Sequence, residues 1–335
     1  MFEKIKRKEL LILNMLKNSR EPMTSSKIAA GISALGHEMS ERTIRLYLQK
    51  MDQDGLTIKK GKSGHKITEC GLIELDSSVI FEKVGFLSAK IDQMTYKMNF
   101  DISTRSGTVV INVTLVKPGI FAKNIPDIKK VYADGYAMGD FITFLGPGEN
   151  LGYINVPAGM IGVGTVCSIT LNGILLKHGI PTASRFGGLL ELRDKEPVRF
   201  VEIIMYDGTS IDPLEIFIRS GMTDYLGAIR TGSGKIGASF REFPAESRES
   251  VENLDFQMKQ TGLGGLVRIG MPGQSLLDIP VSEGRIGAIV IGGLNPVSIL
   301  EEAGIRAYSR ALAGLVDFNR LFHYEEMEKR ISVYL

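Results

Sequence analysis

A chain of 335 residues is too long for one ordinary core, so two or three folding units are expected, and 44% hydrophobic with 23% charged residues excludes disorder on a large scale. Two cysteines, Cys70 and Cys167, without a C-x-x-C pair, and four histidines, His37, His65, His178 and His323, without metal spacing, argue against a disulfide framework or a zinc site and fit a reducing, cytoplasmic setting. The net charge of +2 hides an asymmetry: residues 1–75 hold 14 Lys/Arg against 9 Asp/Glu and the remainder 26 against 29, which makes the basic end the nucleic-acid candidate.

The start, MFEKIKRKEL, is basic but runs into LILNMLKNSR rather than a long apolar stretch, so no signal peptide is expected. From Glu3 to Asn18, Ile5, Leu10, Leu11, Leu13, Met15 and Leu16 fit one broad helical face. After Glu21-Pro22, Thr24 or Ser25 can cap a second, alanine-rich helix that Gly36 is placed to end. Ser40 can cap a third, ERTIRLYLQKMDQDG, with Ile44, Leu46, Leu48 and Met51 as core positions. LTIKKGKSGHKITECGLIEL then reads as two strands around Gly61-Lys62-Ser63-Gly64, a basic hairpin.

Three helices followed by a basic hairpin make residues 1–76 a winged helix-turn-helix. Its DNA-binding candidates are Ser40, Arg42, Thr43, Arg45 and Tyr47 near the start of the third helix, where Arg can fork onto guanine and Thr can touch a thymine methyl. Lys59, Lys60, Lys62, His65 and Lys66 on the wing suit phosphate. Each feature alone also reads as a solvated face or a soluble sheet edge; the conjunction in this order carries the inference.

The second unit, 80–325, is duplicated. Offset by 125 residues, 146–185 aligns without gaps with 271–310, including Pro147/Pro272, Val156/Val281, Gly162/Gly287, Gly179/Gly304, Ser184/Ser309 and Arg185/Arg310. The expected architecture is α+β or α/β, with two pseudo-symmetric halves of about 80–205 and 206–325. Each half would have a sheet of its own built in strand-helix-strand order, with a ligand crevice between them. The uncharged run Leu151–Leu176 contains Asn155, Pro157 and Asn172 and is read as buried strand, turn and helix, not as a membrane span.

The copies differ at one junction: Thr165-Val166-Cys167-Ser168, with Thr170 and Asn172 beyond, against Val290-Ile291-Gly292-Gly293 with Asn295-Pro296. Free N–H groups and small hydroxyls at a strand-to-helix junction can hold a carboxylate or phosphate, so the first copy is the richer candidate. Arg185 and Arg310 either clamp a carboxylate or form structural ion pairs with Glu191 and Asp317. The stretch Gly237–Pro244, with Arg241 at its centre, is placed beside the crevice. The effector-binding candidates are thus Thr165, Cys167, Ser168, Asn172, Ser184, Arg185, Gly187 and Arg241, with Cys167 equally readable as a packed core thiol. Thr231-Gly232-Ser233-Gly234-Lys235 is followed by Ile236 where a phosphate-binding loop needs Ser or Thr, and Gly162-Val163-Gly164 lacks the third glycine of a dinucleotide fingerprint. No catalytic residue, metal or cofactor is assigned.

With a winged helix leading into GTVCSITLNGILLKHGIPTASRFGGLLEL, EPVRFVEIIMYDGTSIDPLEIFI and GASFREFPAES, nearly the whole chain resembles the archaeal nitrogen-responsive repressors of the NrpR type. The resemblance implies a dimeric repressor of nitrogen-assimilation genes, bound to an inverted-repeat operator in double-stranded DNA and released by 2-oxoglutarate. It places the effector-response segment around Cys167 and Ser168 and a family motif at Arg185–Glu191. It also leaves open whether a second family subunit takes part. A two-fold dimer would set its recognition helices roughly 34 Å apart, or a multiple of that. The alternatives are a winged helix that binds RNA or a protein partner, and a recruited enzyme with a small-molecule site in the duplicated region.

Overall fold

The computed structural model describes residues 2–19, 21–34, 39–72, 75 and 86–335, and the chain divides into two compact units, 1–85 and 86–335. The expected helix stop at Gly36 and the boundary near 76–80 fall outside the described residues.

In the first unit α1 (Phe2–Lys17), α2 (Ser25–Ala34) and α3 (Glu41–Gln53) enclose a core of Ile12, Leu13, Leu16, Ile28, Ile32, Ile44, Leu48, Met51 and Leu75. Each large aliphatic side chain buried here contributes about 1.5–3 kcal/mol. Ser40 caps α3 as its sequence position predicts, its Oγ accepting from Thr43 N at 3.2 Å. β1 (Thr57–Lys59) and β2 (His65–Ile67) pair antiparallel as the wing, and Met23 adds a bridge to His65 through two 2.9 Å bonds. Gly64 must be glycine: its φ is 110°, and a Cβ would sit 2.2 Å from the Met23 carbonyl oxygen. Leu46 departs from expectation. It is 63% exposed beside Arg42 and Arg45, because the core stripe of α3 runs through Ile44, Leu48 and Met51.

The second unit opens with α4 (Leu87–Lys97). Its first half then runs β3 (Thr108–Val116), α5 (Pro118–Ala133), β4 (Phe141–Leu145), a small hairpin β5–β6 (150–151 and 154–155), β7 (Ile161–Val166), α6 (Ile169–Lys177) and β8 (Ala183–Arg193). β9 (Glu196–Met205), α7 (Pro213–Arg219) and α8 (Tyr225–Thr231) follow. The second half repeats the scheme with β10 (Gly234–Pro244), α9 (Arg248–Gln260), β11 (Leu266–Ile269), β12 (Arg285–Ile291), α10 (Asn295–Glu302) and β13 (Tyr308–Asp317). β14 (Phe322–His323) and α11 (Met327–Ile331) close the chain.

The sheets are ordered β13-β3-β7-β4-β14 and β11-β12-β10-β8-β9, and neighbouring strands are antiparallel throughout. Each half is a split β-α-β arrangement of the ferredoxin-like kind, with one change. The last strand of each half leaves its own sheet, β8 pairing with β10 and β13 with β3. The expectation of one sheet per half is therefore corrected, because each return strand finds its hydrogen bonds on the partner half. The cores are shared in the same way: α5 packs with α10, β8 and β10 in one, α6 with α9 and β3 in the other.

Candidate DNA interface and effector site

On the first unit, Arg42 and Arg45 are exposed on α3 and Lys59, Lys60, Lys62 and Lys66 are exposed on the wing. A groove of about 490 Å³ runs between the two elements, lined by Arg45, Gln49, Lys59 and Lys62 among others. Arg45 is partly engaged within the protein, paired with Glu41 and donating to Ser25 Oγ at 3.2 Å. The hydroxyls of Ser40 and Thr43 are 2.8 Å apart in the cap, and Tyr47 is half-buried against the core. His65 sits at the base of the wing, its Nδ1 3.1 Å from Asp52 Oδ2, while Thr57 donates to Asp52 Oδ1 at 2.6 Å. This ties the wing to the end of α3, so His65 positions the hairpin while the lysines face outward. Leu46 and Gln49 were missed in the sequence; the exposed arc they share with Arg42 and Arg45 is the face that a groove would meet.

The effector candidates converge. Cys167 and Ser168 form the junction between β7 and α6, while Arg241 lies toward the C-terminal end of β10, from the other half. Arg241 is 0% exposed; its Nη1 donates to Ser168 O at 2.9 Å and to Asn172 Oδ1, and its Nη2 to Ser168 Oγ at 2.8 Å and Ser239 Oγ at 3.4 Å. Asn172 Nδ2 continues the chain to Ser184 Oγ at 3.0 Å. Arg241 Nε has no hydrogen-bond partner, and no carboxylate among the described residues pairs with this guanidinium. Burial pulls its pKa down. A buried cation without a counterion, at the positive end of a helix, is an electrostatic debt that an anion would settle.

The other candidates lie around this cluster. Thr165 is buried on β7 with its Oγ1 unpartnered. The Cys167 thiol is pushed up to about 11, chiefly by burial, which makes it a packed thiol and not a nucleophile near neutrality. Gly187 leaves room for Pro213 and Tyr206: a Cβ there would lie 2.9 Å from the first and 3.1 Å from the Tyr206 hydroxyl. Arg185 turns to a different partner, donating to both oxygens of buried Glu242 at 3.1 Å and to Ser282 Oγ at 3.0 Å. Arg310 likewise meets Glu215 at 3.0 Å. Both arginines are thus structural ion pairs, with partners other than Glu191 and Asp317 because strand exchange changes their neighbours.

Three participants escaped the sequence reading: Ser239, Tyr206 and Asp212. Asp212 caps α7 through Leu214 N at 2.9 Å, a start that Asp212-Pro213 announces in the sequence. Burial, and then nearby Glu215, raise its carboxyl to about 7. Asp212 and Arg241 both act electrostatically on Cys167 and Tyr206, which places all four in one polar neighbourhood.

Comparison with known proteins agrees with this architecture. Residues 84–323 match the profile of the NrpR regulatory domains NRD1 and 2, and residues 10–75 match that of the ribonuclease R winged-helix domain. The chain is 32% identical to the global nitrogen regulator NrpRI of Methanosarcina mazei over 95% of its length and 98% of the relative. It is 30% identical to the global nitrogen regulator NrpR of Methanococcus maripaludis over 97% of its length but only 55% of that longer protein. A nitrogen repressor-like protein from Methanococcus jannaschii, known from its crystal structure, superposes with a TM-score of 0.61 at 27% identity over 72% of this chain and 99% of that one. The match of a regulatory-domain profile to most of the chain, together with a relative that is 32% identical and covered over 98% of its length, makes this chain a member of the NrpR family of nitrogen regulators.

Proposed function

We propose that this protein is a nitrogen-responsive transcriptional repressor that holds an inverted-repeat operator in double-stranded DNA as a homodimer and lets go when 2-oxoglutarate binds at Arg241. The observation that carries the reading is the buried, counterion-free guanidinium shared between the halves: Ser168 and Asn172 come from one, Arg241 and Ser239 from the other. A carboxylate of the effector supplies the missing charge and accepts from Arg241 Nε; the helix start at Ser168 reinforces it. Because the guanidinium now bonds across the halves, seating the effector redistributes those bonds and shifts one half against the other, which changes the geometry the dimer offers DNA. The site binds rather than turns over its ligand. No described helix is long and apolar enough to cross a membrane, and the reading places the protein in the cytoplasm.

Fluorescence anisotropy on a nitrogen-gene promoter at fixed salt, with scrambled DNA as control, tests both parts. Specific binding that 2-oxoglutarate abolishes and succinate does not is expected; specific binding indifferent to 2-oxoglutarate would sink the effector assignment. Linkage requires that operator DNA weaken effector binding by the same factor. Arg42→Ala should cost about 1–3 kcal/mol and relax specificity, whereas Lys62→Ala should lower the slope of log K against log salt by about 0.9 for any DNA. The match to a ribonuclease R winged helix supports a second reading, RNA binding, which preference for a single-stranded RNA competitor over the operator would favour.

A further inference from the structure

The Arg241 cluster uses one end of β10. Ile236, toward the other end and roughly 17 Å away along the strand, helps form a cavity of about 360 Å³ that no step above employs. It opens where two pseudo-equivalent loops meet, the α5–β4 loop (134–140) and the α9–β11 loop (261–265). These loops are locked together: Asp140 N donates to Gly262 O at 2.8 Å, and a Cβ on Gly139 would lie 2.1 Å from that oxygen. The walls are therefore built and do not depend on a mobile flap.

Leu190, Leu192, Ile236 and Ile291, almost wholly buried on β8, β10 and β12, close the cavity from beneath, and Pro197 and Val267 give it accessible apolar walls. The rim carries both signs of charge. Lys259 is fixed at the lip by Asp255 at 2.6 Å and retains spare donors, and Asp140 has no cation within ion-pairing distance among the described residues. Tyr132 and Tyr136 also line the cavity, and each has a buried hydroxyl without a hydrogen-bond partner. Buried hydroxyls are nearly always satisfied, so two orphans at one cavity mark bonds still to be made. Asp140 lines the same cavity as Tyr132 and acts electrostatically on its hydroxyl.

We propose that this cavity is a second small-molecule site, separate from the Arg241 cluster, that takes a free α-amino acid with an aliphatic side chain. The side chain lies against Pro197 and Val267, the ammonium meets Asp140 and the Tyr132 hydroxyl, and the carboxylate meets Lys259. A volume near 360 Å³ is at the small end for ligand pockets and suits a molecule of this size better than a nucleotide. A ligand of a single charge would satisfy one lip and be repelled by the other.

Isothermal titration calorimetry on the full chain decides it, with L-leucine as probe and three comparators: leucinamide, which lacks the carboxylate; 4-methylpentanoate, which lacks the ammonium; and adenosine. L-leucine is expected to bind saturably at one site per chain, with each single-charge analogue weaker by about tenfold or more. Asp140→Asn, at the rim, should weaken L-leucine by about tenfold while leaving the melting temperature of the free protein unchanged. Arg241→Met should leave L-leucine binding intact, so failure of the effector reading and failure of this one are distinguishable. Absence of saturable heat with L-leucine up to about 10 mM would overturn the proposal. So would equal binding of the analogues, preference for adenosine, or indifference to Asp140→Asn.

Discussion

At the end of β7 the chain places Cys167 and Ser168; at the end of β12, 125 residues later, it places Gly292 and Gly293. Arg241 stands opposite Ser184 in the register of β10 with β8, and its counterpart opposite Ser309, in the register of β3 with β13, is Thr114. The backbone is the same and the chemistry is not. One junction has a buried cation and three side-chain acceptors; the other is occupied by neutral, close packing. The glycines have a steric reason, since a Cβ on Gly293 would lie 2.4 Å from Val166 O and 2.9 Å from Cys167 Cα. The two junctions abut, so one copy can carry side chains only because the other gave them up. The duplicated fold thereby concentrates its buried polar side chains at one junction instead of dividing them between two.

The largest effect should come from removing the asymmetry at its charged end. Arg241→Met keeps the volume and removes the uncompensated cation but leaves Ser168 O and Asn172 Oδ1 without their donor, so the two effects oppose and stability should fall by no more than about 1–3 kcal/mol. Response to 2-oxoglutarate should fall by about a hundredfold, the loss of a charge-assisted fork. Denaturant unfolding and effector titration read the two quantities separately. A strong loss of stability with an intact response would make Arg241 structural.

At the neutral junction the order is reversed. Gly293→Val should cost about 3 kcal/mol or more by forcing a side chain into the Val166–Cys167 backbone, and any effector deficit should follow from that instability alone. Urea unfolding checks it. An unaltered midpoint would mean that the junctions are not in the contact described.

Asp212 sharpens the comparison through pH. Its carboxyl is raised from 3.8 to about 7 in the folded protein, so the native state holds the proton more tightly than the unfolded chain does. Its contribution is fully present below pH 4 and is lost as pH rises through about 7, at most about 4 kcal/mol in total and less with the solvent access its partial exposure allows. The melting temperature should therefore fall between about pH 4 and 7 and level off above, and Asp212→Asn, which can still cap α7, should flatten that fall. An unchanged pH profile in the variant would assign the fall to other groups.

How far the sequence disclosed this site depends on the kind of interaction. Caps are local and were legible: Ser40 closes α3 as placed, and Asp212-Pro213 carries the same kind of signal. The offset of 125 residues was legible because the copies kept their glycines and prolines in register. The polar cluster was legible in composition, since Ser168, Asn172, Ser184 and Arg241 do meet, but not in wiring. Which sheet a return strand joins is decided by hydrogen bonds between segments more than forty residues apart, and periodicity is silent on that. For the same reason Arg185 was matched with Glu191, six residues further along its own strand, when its partner is Glu242 on neighbouring β10. His65 misled differently: a histidine in a lysine-rich hairpin looks like a phosphate ligand until Asp52, thirteen residues earlier, is found against its ring.

The smallest predicted effect is the finest test of the comparison, because it concerns a residue that both copies retain. Ser184 accepts from Asn172 at 3.0 Å, and Asn172 in turn holds Arg241; the Ser309 hydroxyl sits 2.8 Å from the Thr114 hydroxyl, and Arg219 reaches only the Ser309 main-chain carbonyl, at 3.2 Å. Replacing either serine by alanine removes one neutral hydrogen bond, part-buried at Ser184 and buried at Ser309, worth about 1 kcal/mol of stability in each case. The stability effects should match. The effector effects should not: Ser184→Ala frees Asn172 to reorient and should weaken 2-oxoglutarate by about three- to fivefold, whereas Ser309→Ala should leave it unchanged. Parallel calorimetric titrations of the two variants make the measurement. Equal weakening by both would place the effector on the pseudo-symmetry axis, in contact with both copies, and would remove the reason for assigning it to the first copy alone.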